Sequence, residues 1–487
     1  MTTEYSHFDL RTAARNTMLE RGFEPDFPSA AMAEMEQLRN NPPQPSTSAR
    51  DLRHLLWSSI DNDTSRDLDQ IEYVEPQANG AFRVLIGIAD VDLYVKRGSA
   101  IDQHAFRETT TVYTGVENFS MLPEELSTDK TSLLEGQERS VIVTEFIVDA
   151  QHCVTVSEIY PATVVNKAQL AYPSVGAWLA GSAEAPPKIA ASQDLQTQLR
   201  LQDKIAQGLR LERNRHGALN LETIETRPVT HEDKVVGIED QTKNRATELI
   251  EDFMVAANGA VARKLAEKHR SSIRRVVKTP KRWDRIVELA RPLGGDLPST
   301  PDSKALNDFL CEQQKKDPDH FPDLSLAVIK LLGPGQYVLE RPGEQSEGHF
   351  GLAVRNYAHS TAPNRRYADL VTQRLLKAML ADEPSPYSDD ELNAIAAQCT
   401  RMEDAERKVE RDMQKRIAAV AMSHRIGETF RAIVTGVNEH GTFARALSPH
   451  VEGMLVRGQQ GLDVGDRIKV KLVRTDPWHG FIDFARA

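Results

Sequence analysis

The sequence predicts an α+β chain of several domains: a short helical N-terminal region, a strand-rich part that passes into a helical one, and a small C-terminal β-barrel. Three observations carry this. The apolar period changes from helical to alternating near residue 51 and returns to helical near 165. The last 63 residues break into short alternating runs separated by glycines at turn spacing. The length, 487 residues, suits two to four domains with ample core.

In chain order, Phe8 to Arg21 is periodic and stopped by Gly22, and Ala30 to Leu38 makes a second short helix before Asn40-Asn41-Pro42-Pro43. Residues 1–50 are therefore expected as a helical region, either a helix-turn-helix or a packing appendage. From 51 to about 165 strands are expected, as in Val84 to Asp90 and Val141 to Val148. A mostly helical stretch then runs to 424, its clearest element Ala246 to Lys268 with Leu249, Ile250, Phe253, Met254 and Ala257 on one face. Residues 425–487 read as five short strands closing into a barrel.

Composition is that of an ordinary soluble chain. No apolar run reaches the ~18 residues of a membrane span, and the opening Met1-Thr2-Thr3-Glu4-Tyr5 lacks a signal-peptide pattern, so a cytoplasmic protein without a membrane partner is expected. Cys153, Cys311 and Cys399 stand far apart, which suggests neither a thiolate zinc site nor a disulfide framework. The formal charge of −11 argues against sequence-blind coating of nucleic acid. From Arg425 onward nine Lys/Arg oppose seven Asp/Glu, which makes the tail the better polyanion candidate.

Two constellations carry chemistry. The first is Ser59-Ile60-Asp61-Asn62-Asp63-Thr64-Ser65-Arg66-Asp67-Leu68-Asp69-Gln70, four aspartates in nine positions between apolar stretches. Carboxylates so crowded repel unless a cation sits among them, which points to a divalent-metal site; a solvated acidic turn is the alternative. A calcium-binding EF-hand loop fits the spacing but has Arg66 where the turn wants Gly, and no helix can leave through Tyr73-Val74-Glu75-Pro76. The second is Ser360-Thr361-Ala362-Pro363-Asn364-Arg365-Arg366-Tyr367-Ala368-Asp369-Leu370, read as a helix start. Two arginines at the positive end of a helix dipole suggest a phosphate clamp; a local bridge to Asp369 is the alternative.

The barrel segment resembles the OB-fold RNA-binding domain of the ribosomal protein S-one type through Ile426 to Phe430, Gly441-Thr442-Phe443, Val451 to Val456 and Val464 to Ile468. In such a barrel Phe430, Phe443 and His440 are candidates to stack on unpaired bases, with burial in the small core the alternative for each. Acids, clamp and barrel together favour metal-assisted phosphodiester cleavage.

Across roughly residues 50–487 the chain resembles the RNase II/RNase R (RNB) exoribonucleases. The shared stretches are Ser59-Ile60-Asp61 with Asp67-Leu68-Asp69, Ile88 to Val95, Met121 to Ser127, Arg215 to Leu219, Leu249 to Met254 and Pro363 to Tyr367. The resemblance implies a mixed α/β RNB catalytic domain over 51–424. It implies a monomeric hydrolase that threads single-stranded or 3′-tailed RNA, 3′ end first, and releases nucleoside 5′-monophosphates processively. It assigns Mg2+, or Mn2+ in its place, to Asp61, Asp67 and Asp69 with Gln70, phosphate contact to Arg365, and RNA contacts to Arg366, Tyr113 and Tyr172.

This chain departs from the family pattern at three places. Gln70 stands where many members have a second adjacent aspartate; its carbonyl can ligate Mg2+ but brings no charge and cannot act as a base. If the stretch is extended, Asp67 and Asp69 share a face and Gln70 points away. Ala362 replaces a usual Ser, and the first 50 residues are too short and too helical for the paired cold-shock barrels usual before the catalytic domain. Gln70 motivates a rival expectation, an RNB-like protein that grips RNA without cleaving it; internal cleavage by the same site is a third.

Overall fold

The computed structural model describes residues 8–231, 234–344 and 347–487; the polar opening Met1 to Tyr5 lies outside them. Helix α1 (Leu10–Glu20) is capped by Asp9, whose carboxylate accepts from the Arg11 and Thr12 amides, and α2 (Ser29–Asn40) follows Pro28. The two helices pack on different parts of the molecule. Ala13, Ala14 and Met18 of α1 pack with Met402, Val409 and Met413, whereas Ala31 and Met35 of α2 enter the core beneath the main sheet. Each helix is therefore held by the body it covers.

Strands β1 (Arg50–Asp51), β2 (Ser58–Asp61), β3 (Gln70–Pro76) and β4 (Phe82–Ala89) precede helix α3 (Ala100–Glu108) and a two-residue pairing of β5 (Val112–Tyr113) with β6 (Asn118–Phe119). With β7 (Glu138–Val148), β8 (Val154–Val165) and β9 (Ala168–Ala171) they make a mixed sheet in the order β1-β8-β7-β4-β3-β2-β9. Only β1 with β8 and β2 with β9 pair in parallel. Along β4, Val84, Ile86 and Ile88 join Ile60, Val74 and Phe146 on one face, while Leu85 and Ala89 join Trp57, Ile71 and Val143 on the other. Both faces are covered, which is why β4 reads as an unbroken apolar run. Gly87 leaves room there, since a methyl on it would fall 3.0 Å from the Ile71 side chain and press on it.

One face is covered by α4 (Tyr172–Leu179), α5 (Pro187–Ala190) and α6 (Gln193–Arg215) and, after the hairpin β10 (Glu225–His231) with β11 (Lys234–Gln241), by α7 (Arg245–Glu267). Helix α7 lies one residue from its expected bounds because Asn244 and Thr247 close a capping box at its start. Buried Asp252 of α7 takes Arg210 Nε at 3.1 Å and also pairs with Arg213, which locks α6 onto α7. Strand β12 (Ser272–Val276) precedes an excursion of α8 (Trp283–Ala290), α9 (Ser303–Lys316) and α10 (Phe321–Leu332), which has its own core around Trp283, Phe309 and Phe321, and then pairs with β13 (Gln336–Glu340). The hairpin and this pairing interrupt the stretch expected as helical.

The other face is covered by α11 (Tyr367–Leu380) and by the first turns of α12 (Asp389–Met422), a helix of 34 residues capped by Ser388 and Glu391. Helix α11 begins at Tyr367, four residues after Pro363, so Pro363 to Arg365 form a turn ahead of it instead of its first turn. Strands β14 (Thr429–Asn438), β15 (Gly441–Leu447), β16 (His450–Arg457), β17 (Arg467–Asp476) and β18 (Phe481–Arg486) close a barrel in the order β14-β15-β16-β18-β17. Its core is continuous with Ala419 and Met422 of α12, and Arg445 bonds Asp323 of α10 at 2.7 Å. The barrel is thus built onto the main body.

Candidate active site

The acidic loop joins β2 to β3 and is anchored along its backbone. Leu68 is buried, its amide donates to Ser132 Oγ at 3.0 Å and its carbonyl accepts from Leu133; the Asp69 carbonyl accepts from Ala89 at 3.0 Å. With Leu68 in the core, Asp67 and Asp69 flank it on the opposite side. Gln70 opens β3, is buried and pairs with Ile88. Asp63 stays exposed and faces Arg227 of β10 at 3.6 Å.

Each predicted acid has a defined partner. Asp61 Oδ1 accepts from the Asn62 amide at 2.7 Å and Ser65 Oγ at 2.8 Å, and burial raises its pKa. Asp67 Oδ2 accepts from the Tyr113 hydroxyl at 2.5 Å. Asp69, 1% exposed, accepts from Arg365 Nε at 2.9 Å and, weakly, from the Asn364 amide at 3.4 Å. Burial pushes the Asp69 carboxyl up to about 7, against the pull of the Arg365 guanidinium. The cation among the acids is thus Arg365, brought from a turn almost 300 residues away. Arg366 is placed differently: both its contacts go to buried Asp369, at 2.9 and 2.7 Å, and Asp369 also accepts from the Ala362 amide. Arg366 thereby shapes the turn that presents Arg365, and it also lines the cavity beside it.

Tyr172 opens α4 with its body against the apolar face of the sheet; burial first, then the charges of Asp61 and Glu72, raise its pKa. Tyr113 is raised in the same way, by burial and by Asp67. In the barrel, Phe430 is 6% exposed with its ring edge-on to Phe484, so it belongs to the core and offers no exposed stacking surface. Its strand parity points it inward once the barrel closes. Phe443 is half-buried and His440 is exposed at the β14 to β15 turn.

Residues the sequence did not single out complete the site. A cavity of about 320 Å3 opens beside Arg365, lined by Tyr113, Arg366, Tyr337, His359 and the α12 residues Glu403, Glu406 and Glu410. Glu403 is committed to Arg275 at 2.7 Å. Burial, and then Glu410 and Glu403, push the Glu406 carboxyl up to about 8. Three acids at i, i+3 and i+7 near the cavity were legible as one helix face, but only the fold brings that face to Arg365.

Two further groups are left unsatisfied. Glu72, two residues after Gln70, is fully buried with neither carboxyl oxygen hydrogen-bonded, and burial, then Asp61, raises its pKa well above the carboxylate range. Asn364 is also fully buried, and neither polar atom of its side chain finds a partner although its amide touches Asp69. Unpartnered buried amides are costly, and Asn364 adds an oxygen donor beside the aspartates. Among the described residues no three His, Cys, Asp or Glu side chains stand close enough to hold a metal ion as arranged. The donor types still fit a hard divalent ion, which would take Asp61, Asp67 and Asp69 with the Asn364 or Gln70 carbonyl once Arg365 turns away from Asp69.

A second ionic cluster lies under α11. Arg374, nearly fully buried, donates to Asp92 at 3.0 Å, Asp102 at 2.8 Å, the Tyr387 hydroxyl at 2.7 Å and the Val95 carbonyl at 2.6 Å. Lys377 bonds Asp90 at 2.8 Å and Asp92 at 3.0 Å. The aspartates after β4 therefore clasp α11 to the sheet.

An acidic loop at the end of two sheet strands, an arginine turn facing it and a closed five-stranded barrel packed on the helix that walls the neighbouring cavity define a family of RNA-processing folds. Residues 49–382 match the RNB domain and 428–487 match the RNase II-type exonuclease C-terminal S1 domain, and the chain belongs to the RNB family. It is 30% identical over 468 residues to ribonuclease R of Thermotoga maritima, covering 89% of this chain and 64% of that protein. Against ribonuclease R of Vibrio cholerae it is 29% identical over 450 residues, covering 88% of this chain and 53% of that protein. The chain thus spans about half to two-thirds of the length of these relatives. RNase R of Mycoplasma genitalium in complex with double-stranded RNA superposes with TM-score 0.84 at 26% identity, over 98% of this chain and 83% of that one. The fold is also that of yeast Ssd1, a pseudonuclease, with TM-score 0.72 at 16% identity over 95% of this chain and 57% of that one.

Proposed function

We propose that this chain is a Mg2+-dependent, processive 3′-to-5′ exoribonuclease that acts in the cytoplasm as a monomer on single-stranded or 3′-tailed RNA and releases nucleoside 5′-monophosphates. The observation that carries this is the pairing of buried Asp69 with Arg365 and of Asp67 with the Tyr113 hydroxyl, beside a cavity of about 320 Å3 that Arg365 and Tyr113 line. Bound Mg2+, with Mn2+ as a substitute, supplies charge neutralisation at the scissile phosphate and a more acidic attacking water. Asp61, Asp67 and Asp69 would hold it, and Arg365 would exchange its bond to Asp69 for one to the phosphate, a charge-assisted contact of the same kind. Tyr113, fixed by Asp67, presents its ring to the terminal base, and Tyr172 closes the opposite side. No helix among the described residues is long and apolar enough to cross a membrane.

The test incubates 3′-tailed and blunt RNA with Mg2+ and follows mononucleotide release, with Asp69→Asn alongside. Release by the wild type and none by the variant is expected. The rival reading, an RNA-gripping protein without cleavage, draws on the loose spacing of the acids and on Gln70. It stands if no metal yields release while RNA still binds.

A further inference from the structure

The N-terminal helices reach the cavity from behind. Ala14 and Met18 of α1, with Phe23 just beyond it, share one buried core with Val112 of β5 and with Val409 and Met413 of α12. Both walls of the cavity grow out of that core. Val112 points into it, so its neighbour Tyr113 points the other way, to Asp67 and the cavity. On α12, Val409 and Met413 make a stripe that adjoins the cavity-lining Glu406 and Glu410. Arg21 ties the end of α1 to Asp412 of α12 at 2.6 Å.

A second tie meets the wall that carries Tyr113. Glu108, the last residue of α3, is 4% exposed, and its Oε1 accepts from the Glu24 amide, between α1 and α2, at 2.8 Å. Phe27 lies on His104 one turn earlier, with ring centroids 4.5 Å apart, and Glu34 of α2 accepts from the Ile101 amide at the start of α3 at 2.9 Å. Burial pushes the Glu108 carboxyl up to about 7, a cost that an apolar residue at this place would not carry. The next residue, Thr109, has φ 58°, which a β-branched side chain rarely adopts. Its carbonyl accepts from the Tyr367 amide at 2.8 Å, and the Thr111 amide donates to the Arg365 carbonyl at 3.0 Å. Glu108 thus fastens the N-terminal arm to the segment that presents Tyr113 and backs Arg365.

We propose that the N-terminal arm is a strut that sets the spacing of the two cavity walls, with Glu108 as a positioning residue for the terminal nucleotide of the bound RNA. The strand on one wall needs such backing, because β5 pairs with β6 over two residues only, too few to hold its place without packing behind it. A nucleotide between Tyr113 and Glu406 brings its phosphate to Arg365 only while the walls keep their distance. Misplacement by about 1 Å costs turnover much more than it costs binding. The arm therefore acts on the reaction without touching RNA. The proposal rests on the exoribonuclease reading for the identity of the bound chain.

The test uses the full chain and two readouts. Steady-state mononucleotide release from a 3′-tailed RNA gives kcat and KM. In EDTA, the fluorescence quench of a 3′-terminal 2-aminopurine reports stacking of the last base in the cavity, independently of cleavage. Glu108→Ala lowers kcat about ten- to hundredfold and weakens the quench, with KM within about twofold of wild type. Glu108→Gln, whose amide oxygen still accepts from the Glu24 amide, retains both. Arg21→Ala, at the surface, gives a smaller loss of the same kind and decides the matter if Glu108→Ala does not fold. Wild-type kcat and quench in the folded variants overturn the proposal, as does a loss in Glu108→Gln equal to that in Glu108→Ala. A raised KM with kcat unchanged also overturns it and makes the arm an RNA-binding element. No mononucleotide release by the wild type, with the quench still following the variants, sinks the nuclease reading and leaves the strut standing.

Discussion

Two clusters of aspartates and arginines sit on this sheet, and they are built to opposite rules. Under α11, Arg374 has four acceptors and Lys377 two carboxylates, and Asp90, Asp92 and Asp102 are all engaged. At and beside the acidic loop, Asp69 is pushed up to about 7, the Glu72 carboxyl has no hydrogen bond and the Asn364 side chain is unpartnered. Buried charge that is fully matched serves packing; buried charge left short of partners is expensive and stays only where something else arrives to complete it. The comparison separates motif residues that hold the fold from those that face a ligand.

The largest effect that can break this comparison is at Arg374. Arg374→Met should cost about 3–5 kcal/mol, because it strands Asp102 without its cation and leaves Asp92 with Lys377 alone, as read by urea unfolding. Arg365→Ala should lower kcat for mononucleotide release about 10²–10³-fold with a smaller loss of stability, since its side chain is 39% exposed. Equal destabilisation by the two variants would abolish the distinction.

Glu72 sharpens the comparison from the other side. Glu72→Leu should raise stability by about 1–3 kcal/mol at pH 8, since it replaces an unsatisfied carboxyl with an apolar group. The pH dependence has a defined sign. Glu72 is raised above its unfolded value, so its contribution is fully present below about 4.5 and is lost as pH rises; the variant should lack that decline. A more stable variant that binds Mn2+ less tightly, read by electron paramagnetic resonance, would show that the unsatisfied carboxyl is held for the ion.

The smallest effect concerns the cavity wall. Glu406, with its carboxyl up to about 8, is neutral below that pH and anionic above it. RNA affinity should therefore fall by about tenfold or less as pH rises from 7 to 9, and Glu406→Gln should flatten that slope in an anisotropy titration. A slope that survives in Glu406→Gln would assign it to another group.

Much of this was legible in the chain. The α7 bounds followed from a face of Leu249, Ile250, Phe253 and Ala257, and the five barrel strands from the glycines between them. The aspartates and Arg365 stood out because their charges are costly in sequence context as well as in space. Three things were hidden. Which way Phe430 points depends on closure of the barrel, not on its neighbours. Glu72 occupies a core position in β3 beside Val74, and in an alternating pattern a glutamate reads as a solvent position. The bond from Arg365 to Asp69 joins two loops that no periodicity relates, and Arg366, its neighbour, takes the local bridge that spacing suggested for either.

Helix α12 is one unbroken rod of 34 residues, about 50 Å long. Its first turns lie in the sheet core, Glu403 to Glu410 wall the cavity, and Ala419 and Met422 fill the base of the barrel. Because a straight helix bends little over that span, the barrel cannot rock without tilting the cavity wall by the same angle. On the proposed reading, a strand of RNA pulled across the barrel would load the cavity end through a stiff lever, so that tension on the incoming polymer and the width of the cavity would become a single mechanical variable.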